Sequence, residues 1–108
     1  MVEGEVLAVA RAYVARLRES GLPVAGAVLH GACVACPPGE FDAIELLVLS
    51  ERFGRDRVAE GRELVRAAWE VDPRIVPTPV HPAKWAEPDD DPALWEARRT
   101  GKEITNDE

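Results

Sequence analysis

The sequence predicts one α+β domain, a small mixed β-sheet with helices packed on one side. Three observations lead there. Two long stretches carry apolar residues at helical spacing, at residues 5–18 and 57–71. Short, almost wholly apolar runs separate them. Gly, Pro and Ser clusters fall at the junctions. With 108 residues and 46% hydrophobic side chains there is material for one modest core, and one domain spanning residues 1–108 is the default.

In residues 5–18, Val6, Val9, Ala10, Tyr13, Val14 and Leu17 share a stripe while Glu5, Arg11, Arg16 and Arg18 face away, so a helix is expected, stopped by Ser20-Gly21. VAGAVLH (24–30) is short and apolar almost throughout, and reads as a buried strand. AIELLVLS (43–50) reads the same way. Val58, Leu64, Val65, Ala68 and Trp69 recur at helical spacing between Arg57 and Val71, predicting a second amphipathic helix ended by Asp72-Pro73. RIVPTPVH (74–81) is a third strand. Pro77 and Pro79 cannot donate to a ladder and push it to a sheet edge. An acidic link at 87–92 then leads into a short helix from Pro92 to Arg99 capped by Asp91, and residues 105–108 are expected to fray.

Thirteen basic against twenty acidic side chains leave a net charge of −7, which works against direct contact with nucleic acid, since phosphate neutralisation needs clustered Lys and Arg. No stretch approaches the ~20 apolar residues that span a bilayer, and residues 1–21 lack a basic n-region and a small-residue cleavage site. A cytoplasmic protein without membrane contact is the expectation.

The densest chemistry lies in GACVACPPGEFDAIELLVLS, residues 31–50. Cys33 and Cys36 form a C-x-x-C. A tetrahedral zinc site wants four ligands, and the chain holds two Cys and two His, with His81 on a different strand from His30. A thiol redox pair wants its C-x-x-C at a helix start, whereas Cys-Pro-Pro at 36–38 would break that helix early. Two small buried thiols, or an incidental disulfide, are the plainer reading. A strand ending at the Gly31 turn can present backbone N–H groups to phosphate oxygens. Glu45 is the single ionisable residue inside its strand, so it faces a cleft or edge or has a partner, because burying it alone would be costly.

VLHGACVACPPGEFDAIELLVLSERF resembles the signature of the minimal nucleotidyltransferases of the DNA polymerase β superfamily. In that family an apolar strand ends in Gly-Ser, a loop follows, and Ser-Asp-x-Asp opens the next apolar strand. Gly31 and position 43 are twelve residues apart, as in the family. The following helix, the Val80/Pro82 segment, Trp85 and the closing ARRTGKEI also resemble family features, so the likeness runs along nearly the whole chain.

The resemblance implies a nucleotidyltransferase-like fold. In the family, two carboxylates at i and i+2 and a third on the neighbouring strand hold two Mg²⁺ ions around a nucleoside triphosphate. Carried over position by position, the phosphate loop is Gly31 with Ala32 in place of serine, the first two acidic positions are Ala43 and Glu45, and the third is Val76. One carboxylate cannot clamp two metal ions. The resemblance therefore implies a fold whose metal-dependent transfer has been lost, needing no cofactor and acting through protein contacts, as an antitoxin-like partner of an all-helical HEPN protein or by self-association. Trp85, Leu94 and Trp95 are the candidate contact surface, with packing onto the sheet as the plainer account. The opposing reading is an active enzyme that transfers AMP to a protein hydroxyl from ATP, with Glu45 and either Asp42 or Glu40 holding one Mg²⁺. A thiol switch at Cys33 and Cys36 is a third.

Overall fold

A computed structural model describes residues 4–36 and 41–104. The expected fraying at 105–108, and Glu40, lie outside the described residues. Within them the order is α1 (Gly4–Glu19), β1 (Gly26–His30), α2 (Ala32–Ala35), β2 (Ile44–Leu49), α3 (Arg57–Val71), β3 (Ile75–Val80), α4 (Pro82–Ala86), α5 (Pro92–Thr100) and β4 (Lys102–Ile104). No helix among the described residues is long and apolar enough to cross a membrane.

The four strands form one mixed sheet in the order β3-β2-β1-β4. β1 runs antiparallel to both β2 and β4, and β2 pairs in parallel with β3. β3 lies at an edge, as its two prolines require.

Helices cover both faces of the sheet, which corrects the expectation of one covered side. Ala27, Leu29, Ile44, Leu46 and Val48 point to the face packed by Val6, Ala10, Tyr13, Leu17, Leu64 and Ala68 of α1 and α3. Val28, Leu47, Leu49 and Val80 point the other way, against Leu94 and Ala97 of α5 with Trp85 of α4 alongside. The physical reason is the strands' composition: successive side chains alternate between faces, so a run such as IELLVL puts large apolar groups on both and each needs a cover. Full burial of one such side chain stabilises by about 1.5–3 kcal/mol, so leaving the second face bare would be expensive.

The helices begin where side chains can satisfy their free N–H groups. Asp56 accepts from the Ala59 N–H at 3.1 Å. Glu60 reaches back to the N–H groups of Gly54, Arg55 and Asp56 at 3.0, 3.1 and 3.1 Å. Asp91 caps α5 by accepting from Ala93 and Leu94. The buried Tyr13 hydroxyl donates to the Leu64 carbonyl at 2.8 Å and ties α1 to α3, and burial pushes that phenol's pKa up.

One stripe departs from expectation. Leu64 and Ala68 are buried, but Val58 and Trp69 are 69% and 71% exposed and Val65 is also solvent-facing. On α3 these three point sideways past the β3 edge, with Pro77 beside them. The helical period of apolar residues continued around the helix beyond the part the sheet covers.

Candidate functional site

The Gly31 turn, Glu45 and Val76 meet at one end of the sheet. His30 and Glu45 are register partners between β1 and β2, and Glu45 and Val76 are register partners between β2 and β3. All three side chains therefore emerge from the face that α5 covers farther along. Gly31 follows directly and turns the chain with φ 76° and ψ −149°, a conformation essentially restricted to glycine. The Glu45 carboxylate occupies the space where a Gly31 side chain would stand. Glycine is thus favoured here by the backbone conformation itself, since the end of the Glu45 side chain can shift.

His30 is half-buried, and its Nε2 is enclosed without a hydrogen-bond partner among the described residues. Burial lowers its pKa below 6.5, and the Glu45 carboxylate partly opposes that. The ring borders an open cleft of about 690 Å³ that Leu47, Thr78, Val80, Lys84 and Leu94 also line. Charges at the rim are mixed. Lys84 and Arg57 stand among Glu60, Asp90 and Asp91. Two of the carboxylates are committed, Glu60 to backbone N–H groups and Asp91 to the α5 cap. A rim of both signs offers little concentrated positive potential to a triphosphate.

The remaining residues singled out in the sequence disperse. Asp42 is exposed and lies two residues ahead of β2, outside the ladder that orients Glu45. Ala43 supplies no donor. With Val76 as the cross-strand neighbour of Glu45, the donor set does not fit a two-metal site. Among the described residues no group of three or more His, Cys, Asp or Glu side chains is placed to hold a metal ion. Ala32 opens α2, a four-residue helix in which the N–H groups of Val34 and Ala35 return to the Gly31 carbonyl at 3.1 Å each.

Both thiols are free. Cys33 is buried, donates to the His30 carbonyl at 3.3 Å, and has its pKa raised by burial, which disfavours the reactive thiolate. Cys36 sits at the end of α2, whose helix stops after one turn as Cys-Pro-Pro predicts.

The expected contact surface divides. Leu94 is buried in the second core and Trp85 packs against it, so neither provides a free apolar surface. Trp95 is half-exposed and bonds through its indole N–H to the Asp89 carbonyl at 2.7 Å. Arg98 lies between the two indoles, 5.8 Å from the Trp85 ring and 5.6 Å from the Trp95 ring, and donates to the carbonyls of Trp85 and Ala86. These tryptophans clasp α4 to α5. Sequence reasoning missed the exposure of Val58, Val65 and Trp69, because exposed and buried stripes on one helix share the same period.

Comparisons with protein families, with curated proteins and with solved structures return no match to this chain.

Proposed function

We propose that the protein is a nucleotidyltransferase-like scaffold that has lost metal-dependent transfer and works by binding another protein. One observation carries this reading. The positions that the resemblance assigns to the phosphate loop and to two of the three metal carboxylates come together as Gly31, Glu45 and Val76. Val76 was assigned from sequence alone as the third acidic position, and its register opposite Glu45 supports that correspondence. In this reading the cluster holds one carboxylate where the family has three, and Glu45 fills the Gly31 turn. An antitoxin-like role beside a helical HEPN partner belongs to this reading as the resemblance supplies it.

Titration calorimetry of the purified protein with ATP, with and without Mg²⁺, tests the proposal. The expected result is no metal-dependent heat. Micromolar binding that requires Mg²⁺ and disappears in Glu45→Gln would replace it with the AMP-transferring enzyme.

A further inference from the structure

From the lateral face of α3 we infer a docking site for an amphipathic helix of another polypeptide, with acidic residues flanking that helix's apolar stripe. The inference rests on the protein-binding reading above and specifies its surface. Val58, Gly61, Val65 and Trp69 follow one another at three- and four-residue steps along the helix, and Pro77 of β3 closes the groove beside them. Val58 and Trp69 are more than two-thirds exposed, far above what large apolar side chains need for this fold.

Three features select the occupant. First, Arg57, Arg62 and Arg66 rim the groove in a chain of net charge −7. Arg62 and Arg66 form no ion pair with the described residues, and no α3 carboxylate lines the groove: Glu70 pairs with Arg16, Glu60 binds the turn before α3, and Glu63 borders the cleft beside α1. The local field favours an acidic partner. A second copy of this face would set arginines against arginines.

Second, the adjoining sheet edge rejects a strand. Ile44 and Ser50 donate to the carbonyls of Arg74 and Val80, so the even-numbered residues of β3 face β2 and residues 75, 77 and 79 face outward. The Ile75 N–H is bonded to the Asp72 carbonyl, and Pro77 and Pro79 have none. An added strand would find no donor at these positions, which leaves helix packing.

Third, Gly61 is the fifth of the fifteen residues of α3, where a Cβ would meet nothing within 4 Å among the described residues. Glycine there weakens the helix relative to alanine and serves no contact inside the domain. A missing side chain at the centre of the groove lets a partner helix approach closely.

The test uses two synthetic helices of roughly six turns with leucine along one face, flanked by glutamate in one and by lysine in the other. Affinities are read by fluorescence anisotropy, contact positions by amide shifts, and the state of the protein alone by sedimentation. The glutamate helix is expected to bind at least about tenfold more tightly than the lysine helix, with shifts confined to residues 58–69 and Pro77's neighbours. Trp69→Ala should weaken binding roughly fivefold or more. Gly61→Ala should also weaken it while raising the melting temperature, a pairing that a purely structural glycine would not give. Equal affinity for the two peptides, absence of binding, shifts elsewhere, unchanged affinity in Gly61→Ala, or a protein dimer abolished by Trp69→Ala would each overturn the inference. If the peptides fail and ATP also fails to bind, the scaffold reading stands without this surface; peptide binding beside Mg²⁺-dependent ATP binding would have the opposite meaning.

Discussion

The Glu45 carboxylate lies where a side chain on Gly31 would have to stand. Gly31→Ala is therefore penalised chiefly by a backbone at φ 76° and ψ −149°, since the end of the Glu45 side chain can swing aside, and should cost about 1–3 kcal/mol in urea denaturation. Adding Glu45→Ala should recover little of that cost, because the backbone part remains. Full recovery in the double variant would show that the turn conformation itself carries no cost.

His30 makes stability depend on pH near neutrality. Burial holds its pKa below the ordinary 6.5, so the unfolded chain takes up the proton first. The contribution of neutral His30 is intact above pH 6.5 and is lost as pH falls toward and through the folded value. The melting temperature should fall more steeply between about pH 7.5 and about pH 5 in the wild type than in His30→Asn. Glu45→Gln, which removes the opposing charge, should steepen it further. Superimposable wild-type and His30→Asn profiles would contradict this.

Asp72 and Arg74 fasten the turn between α3 and β3. The Asp72 carboxylate accepts from the Arg74 backbone N–H at 2.9 Å and from its guanidinium at 3.1 and 2.8 Å, and these bonds hold its pKa below 3.8. The stabilisation is present above that value and lost as pH falls through the folded one. Asp72→Asn should cost about 1–2 kcal/mol at neutral pH, with the gap to wild type narrowing below about pH 3.8. A gap that stays constant across that range would place the effect elsewhere.

Gly101 is a close crossing between the end of α5 and the sheet. A Cβ there would meet the Ala97 carbonyl, Val28 Cγ1 at 2.8 Å and the Leu29 carbonyl at 2.9 Å. With backbone on two sides, relaxation is blocked, and Gly101→Ala should lose about 2 kcal/mol or more and loosen β4. Amide exchange at residues 102–104 is the direct readout, and unchanged protection there would refute it.

Much of this architecture was legible in the sequence. Long periodic segments gave α1 and α3, the Asp91-Pro92 start gave the short α5, and the prolines placed β3 at an edge. The short elements were not legible: α2, α4 and β4 have four, five and three residues, too few for any periodicity to register. Their cause is tertiary, as with β4, which forms because Gly101 lets the chain turn against β1 and bury Ile104. The second covered face was present in the sequence as uninterrupted apolar runs at Val28, Leu47 and Leu49. At the candidate site the resemblance put Val76 on a neighbouring strand, and the structure supplies its register opposite Glu45. That Glu45 would close over Gly31, and that His30 would stand beside it, required the β1–β2 register.

The prolines of β3 bear on behaviour at high concentration as well as on partner choice. A sheet border with free donors and acceptors is a template on which identical chains stack into cross-β fibrils. Here one border has lost its outward donors at Pro77 and Pro79, and the other is a strand of three residues. The described sheet can therefore keep an apolar face open to solvent while its borders offer little for fibril growth to template on.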